Sequence, residues 1–90
     1  MEISILQTPT FGKQKKKLKK NIVKKLDDAI KKVVKDPKLG TQKKGALKGV
    51  WVFKFKVSTQ QYLLAYEWDA KSRTFIAIGV HENFYKNLEK

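Results

Sequence analysis

Apolar residues in the first half of the chain recur with a helical period. Between residues 11 and 34 they include positions 11, 18, 22, 26, 29, 30 and 33, and lysines fill most of the polar positions. This spacing predicts an amphipathic helix. One unbroken helix over residues 11–35 would be about 37 Å long, whereas a domain of this size has a radius of gyration of about 12 Å. We therefore predict a helical hairpin that breaks near Lys20 and Asn21, with Asn21 as a helix cap.

A short apolar run precedes the hairpin. Residues 3–6, ISIL, predict a strand, and the TPT sequence after them resembles a helix start. Thr8 or Thr10 could cap that helix, and Pro9 suits its first position because proline lacks the backbone donor that would be unsatisfied there. The predicted order therefore begins with one strand followed by two helices.

The second half of the chain is rich in β-forming residues. Pro37 disfavours helical conformation at Asp36, so the helical pattern should end there. Residues 40–49 hold three glycines and predict a basic loop. The predicted strands that follow, joined by short links, are residues 50–57, 61–68 and 74–80. The expected class is α+β: an N-terminal strand, a helical hairpin and a three-stranded antiparallel meander, β-α-α-β-β-β, in one domain over residues 1–90.

Alternation along each strand assigns its side chains to two faces. We expect the face with most aromatic residues to pack on the helices. Its predicted members are Trp51, Phe53, Phe55, Val57, Leu64, Tyr66, Trp68, Ile76, Ile78 and Val80. Phe75 is expected on the other face, which should be a groove with a floor of small residues. The main members of that open face are Lys54, Lys56, Ala65, Glu67, Ala77, Gly79 and His81.

The charge of the chain points to a polyanionic partner. Lysine and arginine total 21 against eight acids, a net charge of +13, and residues 1–49 alone hold 15 lysines and four acids. RNA, DNA, a ribosome or an acidic protein would be attracted to such a surface, although lysine-rich helices can also serve solubility alone. Lys43, Lys44 and Lys48, in the glycine-rich loop, are candidate phosphate contacts.

Composition removes several classes of site. The chain has no cysteine and one histidine, which excludes disulfides, thiolate zinc sites and cysteine nucleophiles, and argues against a histidine metal cluster. No cofactor is indicated. No apolar run is long enough to span a membrane and no signal peptide is apparent, so we expect a cytoplasmic protein.

The open face carries groups that could cleave RNA without a metal. Such cleavage needs a base for the 2′-hydroxyl, cations to stabilise the phosphorane, and an acid for the leaving 5′-oxygen. Lys54 and Lys56 could supply charge, and repulsion between them could make one of them the base. His81 titrates near neutrality and suits proton transfer, Tyr85 could orient the phosphate, and Glu67 is a second candidate base. Alternatively, His81 is structural and Tyr85 anchors the chain end on the core.

The ordered segments resemble the RelE/ParE superfamily of bacterial toxins over about residues 8–88. The segments that carry the resemblance are FGKQKKKLKKNIVKKLDDAIKKVVKDPKLG, KKGALKGVWVFKFKV, QYLLAYEW and GVHENFYKNL. The resemblance implies a fold like that of small microbial ribonucleases, with two helices packed on an antiparallel sheet. It also implies an antitoxin partner. Many members cleave mRNA on the ribosome without metal, whereas the ParE branch poisons DNA gyrase.

The resemblance assigns roles to individual residues. Ribonuclease members place Lys-x-Lys in the second strand of the fold, the first of the meander, matched by Lys54 and Lys56. They end the last strand in a basic residue or histidine followed by tyrosine, matched by His81 and Tyr85. RelE has an arginine where this chain has Leu63. The implied function is a metal-independent mRNA endoribonuclease that contacts 16S rRNA. The alternatives are a gyrase inhibitor or a catalytically weak RNA-binding member.

Overall fold

The computed structural model describes residues 2–43 and 49–80 and confirms an α+β fold. Its elements are β1 (Ser4–Gln7), α1 (Pro9–Lys16), α2 (Lys20–Lys35), a 3-10 turn (Pro37–Leu39), β2 (Thr41–Gln42), β3 (Trp51–Val57), β4 (Gln60–Trp68) and β5 (Ser72–Val80). The sheet order is β1-β5-β4-β3-β2, in which β1 runs parallel to β5 and the other pairs are antiparallel. The predicted meander is β3-β4-β5. Strand β2 is an addition, within residues predicted as loop.

The helical hairpin forms as its period predicts, but it breaks slightly earlier. Thr8 caps α1 by accepting a hydrogen bond from the Phe11 amide, and Pro9 occupies the first turn. The break covers residues 17–19, and the backbone of Lys19, not Asn21, starts α2. The Lys19 side chain makes no capping hydrogen bond. Lys15 and Asp27 form an ion pair of 3.3 Å between the two helices, which the sequence had not indicated.

Two features fix the end of α2. Pro37 follows Asp36 directly and begins the 3-10 turn. Arg73 of β5 is buried and donates from Nε to the carbonyl of Val34, in the last turn of α2, at 3.2 Å. A guanidinium group satisfies a terminal helix carbonyl and also complements the negative end of the helix dipole. The only arginine of the chain is therefore a structural clamp between α2 and the sheet.

The main core lies between the helices and the aromatic face of the sheet. Its buried members are Phe11, Leu26, Ala29, Val33, Leu64, Tyr66, Phe75 and Ile78. Half-buried aromatic residues of β3 and β4 extend it, with Trp51 edge-on to Trp68 at 5.6 Å and Phe55 stacked on Tyr62 at 5.7 Å between ring centroids. Alternation had assigned this face correctly in β3 and β4. No helix among the described residues is long and apolar enough to cross a membrane.

A bulge in β5 overturns part of the predicted face assignment. Ala65 pairs with Ala77 but Tyr66 pairs with Phe75, so Ile76 is an extra residue on β5. One extra residue exchanges the two faces for everything before it. Phe75 therefore packs in the main core against Phe11, at 5.8 Å, and not on the open face. Ile76, predicted as core, packs on the opposite side of the sheet.

Candidate nucleic-acid interface

Strand β3 presents two lysines on the side of the sheet away from the helices. Lys54 and Lys56 are exposed. Phe53 and Phe55, which alternate with them along the strand, pack on the helical core. Residues two apart on a strand share a face, so the two ammonium groups project on the same side, as predicted. Lys54 lies opposite Leu63 of β4.

The floor beside these lysines differs from the prediction. Val52, Leu63, Ala65 and Ala77 form a second buried cluster, and Leu63 and Ala65 are 0% exposed. Val50 and Ile76 pack against it. The predicted groove floor, including Ala65 and Ala77, is thus buried apolar surface and not a bare, solvent-exposed one.

Glu67 lies far along the sheet from Lys56. It is exposed and pairs with Thr74 near the far end of β4. Lys56 pairs with Gln61, and Glu67 lies six residues farther along, which is about 20 Å at 3.3 Å per residue. Glu67 is therefore too far away to act as a base for a group held by Lys56, or to position its ammonium group.

The remaining candidate residues are mostly outside the described part of the chain. Lys43 follows β2, and its amide donates to the carbonyl of Val50 at 2.8 Å, so it lies at the same sheet edge as β3. Lys44, Lys48, His81 and Tyr85 lie outside the described residues.

Two further lysines, missed from the sequence, lie near the same edge of the sheet, on its helix side. A cleft of about 290 Å³ lies between α2 and β3. Its lining residues are Lys25, Asp28, Ala29 and Lys32 from α2, and Phe53, Lys54, Phe55 and Lys56 from β3. The available signal was position: Lys25 and Lys32 flank the buried residues Leu26, Ala29 and Val33 on α2. Lysines at the border of an apolar helix face reach over the neighbouring strand.

The cleft is strongly cationic. Four of its lining residues are lysines and one is an aspartate. Across residues 2–43 and 49–80, the one ion pair is that of Lys15 with Asp27, away from the cleft. The four cleft lysines therefore have no carboxylate within salt-bridge distance in the described chain. Such a site attracts phosphate groups through both charge and hydrogen-bond donors.

Among the residues that the structure describes, two groups have a clearly shifted pKa, and both are structural. Burial raises the pKa of the Tyr66 hydroxyl, which donates to the carbonyl of Pro37 at 2.7 Å and accepts from the Gly40 amide at 3.1 Å. The hydrogen bond from the Lys71 amide lowers the pKa of Asp69, in the β4–β5 turn. Both groups hold turns in place, and neither lines the cleft.

Solved structures with this fold include bacterial toxins. The complex of RelBE2 from Mycobacterium tuberculosis matches with a TM-score of 0.75 at 16% identity, covering 90% of this chain and 100% of that one. A mutant of the E. coli toxin RelE in the free state gives 0.75 at 20% identity, with 99% and 94% covered. The intact E. coli RelBE toxin–antitoxin complex gives 0.70 at 21%, with 89% and 98% covered. At these identities the likeness concerns the fold.

The family is established by sequence. No curated protein matches the chain significantly. A family model described as the ParE-like toxin of the type II bacterial toxin–antitoxin system matches residues 5–89, nearly the whole chain. The chain therefore belongs to the ParE-like toxins of type II toxin–antitoxin systems, within the RelE/ParE superfamily.

Proposed function

We propose that this toxin is a metal-independent endoribonuclease that cleaves mRNA on the ribosome and thereby inhibits translation in the cytoplasm. One observation carries the proposal: Lys54 and Lys56 stand exposed on one face at the edge of a RelE-like sheet. A net charge of +13 adds long-range attraction to RNA. Lys43, Lys44 and Lys48 are proposed to contact RNA, including 16S rRNA.

The chemistry requires a balanced transfer of two protons. A base takes the proton of the 2′-hydroxyl as that oxygen attacks phosphorus, and an acid gives a proton to the 5′-oxygen as its bond to phosphorus breaks. The products are a 2′,3′-cyclic phosphate and a 5′-hydroxyl. Lys54 and Lys56 stabilise the negative charge of the phosphorane, and one of them serves as base. His81 is assigned the acid role and Tyr85 the role of orienting the phosphate, from the superfamily resemblance.

A cognate antitoxin is the proposed protein partner. The RelBE structures from M. tuberculosis and E. coli are toxin–antitoxin complexes. An acidic segment that covers Lys54 and Lys56 would remove the positive charge that RNA needs. A small acidic protein encoded beside this toxin would support that assignment.

The test compares two lysine pairs. Expression of the toxin should arrest growth and leave new mRNA 5′ ends, mapped by primer extension. Lys54→Gln with Lys56→Gln should lower the cleavage rate by about 10²- to 10³-fold, as expected when transition-state donors are removed. The control is Lys13→Gln with Lys16→Gln on α1, an exposed pair outside the α2–β3 cleft, which should cleave almost normally.

His81→Gln tests the acid separately. Growth arrest and cleavage that are unchanged in this variant would remove His81 from the mechanism. Equal cleavage by the Lys54/Lys56 and Lys13/Lys16 variants would refute the proposed role of the β3 lysines.

The second candidate function is inhibition of DNA gyrase without nuclease activity. The match to a family model for ParE-like toxins favours it. A gyrase supercoiling assay with purified toxin, run beside the primer-extension map, separates the two. Inhibition of supercoiling with intact mRNA would support the gyrase inhibitor, and cleaved mRNA with normal supercoiling would support the ribonuclease.

A further inference from the structure

The cleft between α2 and β3 joins the proposed catalytic lysines to a second lysine pair. Lys25 and Lys32 come from α2, and Lys54 and Lys56 come from β3. Lys25 and Lys32 are seven residues apart, about 10.5 Å along the helix, while Lys54 and Lys56 are about 6.6 Å apart along the strand. Lys54 and Lys56 project on the side of the sheet away from the helices, so the two lysine pairs lie on opposite sides of β3 and approach each other across its edge.

The cleft is open along the sheet edge. Strand β2 pairs with β3 only at Trp51 and Val52. Beyond Val52, no strand among the described residues lies beside this edge of β3. A flexible chain can therefore enter from the side, and the half-buried rings of Phe53 and Phe55 line the wall it would meet. Aromatic side chains in a basic groove are typical of single-strand binding, because every base offers a face for stacking.

We propose that the α2–β3 cleft binds the phosphate backbone of single-stranded RNA next to the scissile phosphate, with Lys25 and Lys32 as phosphate ligands. This inference rests on the proposed function, because it places the scissile phosphate at Lys54 and Lys56. Continuity favours RNA over an acidic peptide: a strand held at Lys54 and Lys56 on the open face needs only to pass over the free edge of β3 to reach the cleft that Lys25 and Lys32 border. Asp28 lies between those two lysines on α2 and opposes the ligand charge.

Binding is measured with a fluorescent, fully 2′-O-methylated RNA oligonucleotide, which cannot be cleaved because it lacks the nucleophile. Lys25→Gln with Lys32→Gln should weaken binding about 10-fold at low salt, and the slope of log K against log salt should fall by about 1.4, the value for two lost single-strand phosphate contacts. The matched control is Lys24→Gln with Lys31→Gln. Those exposed lysines have the same spacing on the same helix and lie outside the cleft, so this pair should change binding less than two-fold.

Asp28→Asn provides a test of opposite sign. It removes the one carboxylate of the cleft and should tighten RNA binding about two- to three-fold, by relief of charge repulsion. Circular dichroism melting of every variant confirms folding. All five substituted side chains are exposed, so the melting temperatures should be similar.

Three results would overturn the cleft assignment. Equal losses in the Lys25/Lys32 and Lys24/Lys31 variants would mean a diffuse surface effect. Weaker RNA binding by Asp28→Asn would contradict the charge argument. If the Lys25/Lys32 variant loses binding to a polyglutamate peptide but binds RNA normally, the cleft is a protein-docking surface instead. The proposed function fails independently, if the wild-type toxin leaves cellular mRNA intact while these binding differences persist.

Discussion

The two faces of the sheet divide stability and chemistry between them. The face toward the helices buries large side chains, among them Phe11, Tyr66 and Phe75, in a cluster of eight buried residues. On the opposite face, the described residues form a cluster of four buried aliphatic side chains, and Lys54 and Lys56 lie at its edge. The two lysines, which we propose to bind phosphate, remain in water, so they avoid the cost of burying a charge. The larger cluster on the other side supplies most of the burial.

The smaller cluster still matters for the site. Leu63 is 0% exposed and lies directly opposite Lys54. The superfamily resemblance places an arginine of RelE at this position, but a buried leucine cannot supply a cation to the phosphate. In the proposed site, the positive charge that the described residues can offer therefore comes from lysines, which is a reason to test those of the α2–β3 cleft.

The largest expected effect comes from truncating two neighbouring residues whose side chains lie on opposite faces of the sheet. Leu64 and Leu63 are both fully buried, on opposite sides of β4. Leu64→Ala should lower the free energy of unfolding by about 4 kcal/mol and Leu63→Ala by about 2.5 kcal/mol, within the usual range for leucine truncation. The difference arises because the smaller cluster, bordered by half-buried Val50 and Ile76, can collapse more readily onto the cavity.

Urea unfolding of both variants provides the measurement, with the slope against denaturant checked for two-state behaviour. A larger loss for Leu63→Ala would contradict the assignment of the main core to the helix side. Equal losses would show that the second cluster is packed as rigidly as the first.

A smaller effect is expected where the two faces meet, at Gly40. A Cβ atom built there would lie 2.5 Å from the Tyr66 hydroxyl oxygen and 2.9 Å from the carbonyl oxygen of Val52. Gly40→Ala should therefore cost about 2 kcal/mol from overpacking. In a Tyr66→Phe background the cost should fall by about 1 kcal/mol, because one of the two close contacts disappears. Tyr66→Phe alone should cost about 1–2 kcal/mol, since it leaves the Pro37 carbonyl and Gly40 amide without that partner.

Gly12→Ala is the matched control. Gly12 lies within α1, and its nearest obstacle is the end of the flexible Gln7 side chain at 3.1 Å. Alanine there should be neutral or stabilise by about 0.5–1 kcal/mol, through helix propensity. Additive costs in the Gly40→Ala, Tyr66→Phe double variant would show that the hydroxyl is not the obstacle to a side chain at position 40.

Local patterns predicted most of the fold. The helical period predicted α1 and α2, Thr8 and Pro9 predicted the start of α1, and alternation predicted the aromatic side of β3 and β4. These features depend on residues close in sequence, where propensity and periodicity act directly. The helix break lies earlier than predicted because Lys19 caps α2 without a side-chain hydrogen bond. Such a cap does not require one of the residue types that mark a helix start in a sequence.

The errors came from contacts between distant segments. At the β5 bulge, the hydroxyl of Thr8 donates to the carbonyl of Ile76 at 2.7 Å. Residues 68 positions apart meet there, so no periodicity within β5 could predict the exchange of Phe75 and Ile76. Lys25 and Lys32 were missed for the same reason, because only the packing of α2 on the sheet brings them close to β3. The shared face of Lys54 and Lys56 was predictable from alternation alone.

The smallest expected effect concerns the turn that joins β4 to β5 before the bulge. The Asp69 carboxylate accepts hydrogen bonds from the amides of Lys71, at 2.7 Å, and Ser72, at 2.8 Å. These bonds lower the pKa of Asp69 in the folded protein. The ionised carboxylate therefore stabilises the fold above its unfolded pKa of about 3.9, and this contribution is lost as pH falls through the lower, folded value. Asp69→Asn should reduce the melting temperature slightly at pH 7 and leave it close to the wild-type value well below pH 3.9. Melting curves from pH 2.5 to 7 measure the gap between the two proteins. A gap that widens on acidification would contradict the role of the ionised carboxylate in holding this turn.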